Sequence, residues 1–250
     1  MTRTLTIATR YVPLLILALA WEAAPTFGLV STHTLPTLSS VLVALGKLTL
    51  SGDLLVHGAS SLYRTAAGLG LAIVAGTTAG LFMAWSGLVQ AIVQPVIRLF
   101  YPMPKSALIP VLALWLGFGD GSKIALIFLG CLLPITIGAY NGARGSEQTL
   151  VWSARSLGAS RLRMLWDVMV PSALPELLAG IRIALAYSFI LLVSSELVAA
   201  QKGLGYMIGM LGEGGVYDAM FAMVLTIGAL GFFADRAFQH GARRILQWQE

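Results

Sequence analysis

The sequence predicts an all-α protein built to sit in a membrane, and three observations carry that prediction. First, 57% of its 250 residues are hydrophobic, only 11% are charged, and the mean hydropathy is +0.83. A soluble domain carries about 25% charged residues. Second, the chain holds six apolar stretches near the roughly 20 residues that cross a bilayer as a helix. Third, its basic residues gather at the ends of those stretches and not in one run. That is the pattern of membrane topology. The net charge of +5 therefore gives no reason to expect a nucleic-acid partner.

Residues 1–10 carry Arg3 and Arg10 ahead of an apolar run. No small-residue cleavage site follows Ala20, and Glu22 comes soon after, so 11–30 reads as a retained first span. The 31–58 loop contains Pro36 and the polar Thr37-Leu-Ser-Ser40, and suits a short interfacial helix over 38–50. The second span, 60–84, is crowded with glycine and alanine. Gly76 and Gly80 form a GxxxG pair that allows close helix approach, and Gly138/Gly142 and Gly205/Gly209 repeat the spacing. Both packing within one bundle and a dimer seam fit that pattern.

The third span, 104–118, is short and carries Pro102, Pro104 and Pro110 at or near its start. Proline removes a backbone donor and clashes with the preceding turn, so a kink or a break is expected here. In lipid such a break survives only where protein or water covers it. The fourth, fifth and sixth spans are expected at 122–141, 176–199 and 217–238. The whole chain then forms a single transmembrane domain, 1–250.

Six spans put both ends on one side. Arg3, Arg10, Arg98, Lys105, Arg144, Arg155, Arg161, Arg163, Arg236, Arg243 and Arg244 fall on that side by this count. The opposite loops hold mainly Lys47, Lys123 and Lys202 beside Asp53, Asp120, Glu213 and Asp218. The positive-inside rule then assigns both termini and the 142–175 loop to the cytoplasm.

That loop is the most punctuated part of the chain. Glu147 to Leu157 reads as a short helix, and Gly158 suits a left-handed C-terminal cap. The Ser160 hydroxyl can accept the free amide protons of a second helix that runs to about Val170. Leu162, Leu165, Trp166 and Met169 follow its i, i+3, i+4 spacing. Pro171 and Pro175 are expected to stop it and to start the fifth span, since proline is tolerated in a first helical turn. Two readings stay open on this pattern: a helix–turn–helix knob offered to the cytoplasm, or an amphipathic loop lying in the lipid headgroups.

Ionisable residues inside spans are costly, so each is a functional candidate. Glu22 lies late in the first span, where snorkelling or a structural pair suits it. Arg64 and Arg182 have side chains long enough to reach headgroups. Arg182 can also line a pathway or brace the loop before it. Glu196 follows Ser194 and Ser195 and suits a gate, a helix cap or a satisfied structural carboxylate. Thr136, Tyr140, Asn141, Tyr187, Ser188 and Ser195 are polar positions on the fourth and fifth spans that can line a channel or bond between helices. No catalytic set is evident. His33, His57 and His240 lack metal-ligand spacing, HExxH and GxSxG are absent, and the single Cys131 in an apolar run reads as a buried structural thiol.

Further motifs tie these pieces together. Ser153-Ala154-Arg155, then Gly158, then Val170-Pro171 through Leu174-Pro175 resemble the EAA signature of permease subunits of bacterial ABC importers, with Ser153 standing where the family carries glutamate. Pro102-Met-Pro104, Leu108-Ile-Pro110, Leu114-Trp115-Leu-Gly117-Phe-Gly119 and Ser122-Lys123 are similar to the subgroup that imports nitrate, sulfonates, taurine and related compounds. So is Glu196 followed by Gly203-Leu204-Gly205-Tyr206. The likeness extends from Trp21 to Ala234.

The resemblance implies a type I ABC importer permease fold in the inner membrane, with a coupling helix between the fourth and fifth spans, about 147–171. Ala154, Arg155, Leu157, Gly158, Ala159, Ser160, Arg161, Leu162 and Leu165 would then seat in a cytoplasmic ATPase dimer. It also implies an external solute-binding protein and a second copy of the chain. The chain has no Gly-x4-Gly-Lys-Ser/Thr loop, so ATP and magnesium are expected on the partner and no cofactor here. A secondary transporter or channel that works without an ATPase is the competing class, and it would show paired broken helices.

Overall fold

The computed structural model describes residues 2–145 and 148–249, with the side chains of 2–11, 148, 161 and 249 outside the description. Among the described residues the ordered elements are all helical. Helix α1 (Thr2–Thr26) is followed by α2 (Leu38–Leu50), α3 (Asp53–Trp85), α4 (Gly87–Phe100), a 3-10 turn (Lys105–Leu108) and α5 (Ile109–Leu116). Then come α6 (Asp120–Arg144), α7 (Gln148–Ser156), α8 (Arg161–Met164), a π turn (Leu165–Met169), α9 (Val170–Ala199), α10 (Leu204–Glu213) and α11 (Tyr217–Ile245). Four helical runs are long and apolar enough to cross a membrane: α3, α6, Leu162–Ala199 and α11. The pair Gly87–Phe100 and Lys105–Leu116 makes a fifth, bent by 90°.

That bend falls at Tyr101-Pro102-Met103-Pro104, where the prolines lead one to expect a break. The interfacial-helix expectation over 38–50 meets a helix with the same bounds. Thr37 caps it by accepting from Ser40 N at 3.2 Å. Glu22 also serves that start: its carboxylate accepts from Ser39 N and Ser39 Oγ at 2.9 and 2.8 Å. The structural-pair reading of Glu22 therefore holds, as a brace between α1 and α2.

Helix α6 runs between α3 and α9, and its side chains dominate the core: Leu126, Ile127, Cys131, Ile135 and Ala139 are buried. The small residues explain how close these helices lie. A β-carbon on Gly80 would stand 2.5 Å from Thr136 O, and one on Gly76 3.0 Å from Ile135. Gly138 and Gly142 meet the α9 backbone at Glu176 and Ala173 in the same way. These GxxxG pairs are packing surfaces inside one bundle, as small-residue stripes in membranes commonly are. Gly80→Ala is expected to cost about 1–3 kcal/mol through overpacking. Gly70→Ala, with nothing within 4 Å of the new carbon, is expected to leave stability unchanged. Melting of the two variants in detergent checks this.

One expectation is corrected. Pro171 and Pro175 do not end a helix, because Leu162–Ala199 is a single helical run. The π turn carries it past the proline: Val170 N–H reaches back to Leu165 O, one residue further than in an α-helix. That wider turn relieves the clash between a proline ring and the carbonyl four residues earlier.

Candidate functional site

A cleft of about 600 Å3 opens along α6 and α9, beneath the break between α4 and the 3-10 turn. Its walls are mostly apolar, with Tyr101, Lys105, Ser106, Asn141, Glu176, Tyr187 and Ser194 as the polar lining. Lys105 is not the cytoplasmic loop charge that topology counting makes it. A β-carbon on Gly130 would lie 3.9 Å from its Cγ, which puts the lysine near the middle of α6. The break itself displaces it: α4 ends at Phe100, and the chain turns inward along the bundle. Lys105 Nζ donates to Met103 O at 2.7 Å and to Phe100 O at 2.5 Å, tying the lysine to the end of α4, where Phe100 O also accepts from Met103 N at 3.3 Å.

At the end of the bundle away from α7, three charged side chains form one network and a fourth, Lys123, is buried on the same helix ends. Arg64 Nη1 meets Glu196 Oε1 at 2.6 Å, and its Nε meets Asp120 Oδ1 at 2.7 Å. Glu196 is 0% exposed and also accepts from Ser61 Oγ and from Gly205 N at 2.9 Å. Arg64 Nη1 donates to Lys202 O at 2.6 Å. Lys123 Nζ donates to Phe118 O at 2.6 Å and to Ala199 O. A β-carbon on Gly203 would stand 2.3 Å from the Glu196 carboxylate, and Gly203 has φ +126°. The glycines let the 200–205 backbone close over a buried carboxylate.

Two expectations change here. Arg64 does not reach for headgroups, and Lys123 is not an outer-loop charge. Both are buried because opposite charges and free carbonyls stand at the ends of neighbouring helices.

At the opposite end, α7 closes in the turn expected for it. Gly158 has φ +77°, its N–H bonds Arg155 O, and Ala159 N–H bonds Ala154 O. This is the C-terminal capping pattern of a helix that ends on glycine. Ser160 then caps the next turn by accepting from Arg163 N at 3.3 Å, while its carbonyl accepts from Met164 N. Arg155, Met164 and Met169 border a hollow with Trp85, the last residue of α3. Leu157 is 87% exposed, Leu162 and Trp166 are exposed, and Leu165 turns inward. The apolar stripe expected of this segment is therefore divided between core and surface. Glu147 and the Arg161 side chain lie outside the described residues.

Of the polar pathway candidates, the cleft gathers Asn141 and Tyr187. Thr136, Ser188 and Ser195 are buried and donate to carbonyls of their own helices. Tyr140 Oη accepts from Arg144 at 2.5 Å. Arg182 pairs with Asp235 of α11 at 2.8 Å, away from the cleft, and Glu196 belongs to the buried network. Lys105, Ser106, Glu176 and Tyr101 line the cleft and were not singled out by sequence. The signal for Lys105 was present, since a cation between two prolines in an apolar stretch follows the chain into any break there.

An all-helical bundle with four apolar helical runs long enough to cross a bilayer, a fifth that is bent, and a cleft along α6 and α9 is the architecture of a multi-span membrane protein. The chain belongs to the family of inner membrane components of binding-protein-dependent transport systems, whose model matches residues 68–247. These are the permease subunits of ABC transporters, which work with an ATPase and a binding protein. The chain is 36% identical to the taurine transport system permease protein TauC of Escherichia coli K12, over 94% of this chain and 87% of that one. It is 32% identical to the putative aliphatic sulfonates transport permease protein SsuC of Bacillus subtilis 168, over 95% and 86%. Its fold matches a chain of the inward-facing MetNI methionine ABC transporter with a TM-score of 0.68 at 18% identity, over 79% of this chain and 98% of that one.

Proposed function

We propose that this permease moves taurine or a related small sulfonate, with nitrate in the same class of anion, from an external binding protein into the cytoplasm. The observation that carries the reading is the likeness to the taurine and sulfonate permeases over nearly the full chain. The cleft supports it: an apolar corridor with a few convergent polar groups is what a small solute needs.

In this reading the chain crosses the membrane six times, through α1, α3, the bent α4–α5 pair, α6, α9 and α11. Both termini lie in the cytoplasm, and lipid covers the outer faces. The cleft is half of a pathway that a second copy completes about a two-fold axis. Residues 154–162, from Ala154 through Arg155, Leu157, Gly158, Ala159, Ser160 and Arg161 to Leu162, meet the ATPase dimer, and Leu165 anchors them to the core. ATP and magnesium belong to that partner. ATP binding supplies the differential energy that shifts the bundle between its two faces.

Uptake of labelled taurine into vesicles tests the reading. Uptake is expected to require the added external binding protein, the co-expressed ATPase and ATP, and to survive collapse of the ion gradients. Gradient-driven uptake without an ATPase would instead make the chain a secondary transporter.

A further inference from the structure

We infer that Lys105 makes the cleft an anion-binding site, the point at which a sulfonate or another small oxyanion rests inside the membrane. The inference names the site that the sulfonate reading needs and rests on that reading for its physiological ligand.

The argument begins with depth. A lysine beside Gly130 lies far from either end of α6, where an ionisable side chain is costly and is retained for a pathway or a partner. No carboxylate forms an ion pair with it among the described residues. Its ammonium has three protons, and the broken helix uses two of them, at Phe100 O and Met103 O. Those carbonyls hold the ammonium at the wall of the cleft, and its third N–H is left for another acceptor.

The surroundings suit an oxyanion. Ser106 and Tyr101 flank the lysine along the chain, and Tyr187 adds a hydroxyl to the lining from α9. The other charge in the lining, Glu176, stands against Gly138 and Gly142. At a rise of 1.5 Å per residue, that is roughly 12–18 Å further along α6. The cleft is thus cationic at mid-depth and anionic toward the α7 end, so an anion binds at the level of Lys105. Discontinuous helices whose ends serve ions at mid-membrane are an established way to build such sites. A lysine that served only to cap α4 would have no need of the cleft.

The test uses reagents that are themselves ions. Ser106→Cys adds a thiol next to Lys105, in the full complex with its ATPase in membrane vesicles. Its labelling rate is compared for 2-sulfonatoethyl methanethiosulfonate and for the trimethylammonium counterpart. The chain without the new thiol corrects for the buried Cys131. Replacing Lys105 with Gln is expected to lower the anion-to-cation rate ratio roughly tenfold, and Lys105→Arg to keep it, since one unit charge a few ångströms away contributes on the order of 1.4 kcal/mol or more. A ratio that Lys105→Gln leaves unchanged overturns the anion site. Taurine uptake by the unsubstituted complex is measured alongside. A ratio that falls while no ATP-driven taurine uptake occurs supports the anion site and overturns the sulfonate importer reading. A ratio that falls together with a loss of uptake in Lys105→Gln supports both.

Discussion

Glu196→Ala is expected to unfold this permease at temperatures the parent tolerates. The carboxylate is fully buried, and it binds Arg64, Ser61 and the Gly205 amide at once. Truncation leaves Arg64, itself 5% exposed, with half of its charge compensation, and leaves the Gly205 amide without an acceptor. Breaking a buried ion pair from one side costs about 3–5 kcal/mol, because the other charge stays behind. In a chain of this size that lowers the melting temperature on the order of 10 °C. Glu196→Gln keeps an acceptor oxygen and loses the charge, so its melting point falls between the two. Arg64→Ala combined with Glu196→Ala is expected to cost less than the sum of the single changes, since the partners share one network. Melting of the parent and the four variants in one detergent checks this, and a Glu196→Ala chain that melts with the parent would remove the network from the account of stability.

That network also marks where sequence reasoning stops. Helix existence was legible because apolar length suffices for it. The proline break, the helix over 38–50 and the Gly158 turn were legible because each depends on a local backbone constraint. Arg64, Asp120, Lys123 and Glu196 were each visible as an ionisable residue near a span end, yet their meeting depends on how α3, α6 and α9 align. Nothing within any one helix encodes that alignment. Lys105 was misplaced for a related reason. Counting charges between spans assumes that a loop leaves the membrane, and the chain after Phe100 turns inward instead. The π turn at Leu165–Met169 escaped because proline was read as a terminator. Inside a bundle, one widened turn lets the helix continue.

The clearest functional effect is expected at the other end of the bundle, where Leu157→Asp should separate the permease from its ATPase. Leu157 is 87% exposed in the turn between α7 and Gly158, and Trp152 is exposed on α7 itself. An apolar side chain held out from a rigid capped turn has the form of an interface anchor, and truncating such anchors typically costs 2 kcal/mol or more. A charge in its place should lower ATPase co-purification more than roughly tenfold, which is 1.4 kcal/mol. ATP-driven uptake should fall with it. Because the side chain packs little within the chain, the melting temperature should stay near that of the parent, as exposed substitutions usually change stability by no more than about 0.5 kcal/mol. Gly158→Val acts by another route. At φ +77° a β-branched residue is strained, so the turn must rearrange and carry α7 out of position. If Leu157→Asp co-purified with the ATPase at the parental level while Gly158→Val did not, the turn would matter but its exposed leucine would not be the contact. If both co-purified normally, the turn that ends α7 would not be the contact, and the hollow among Trp85, Arg155, Met164 and Met169 would become the surface to test.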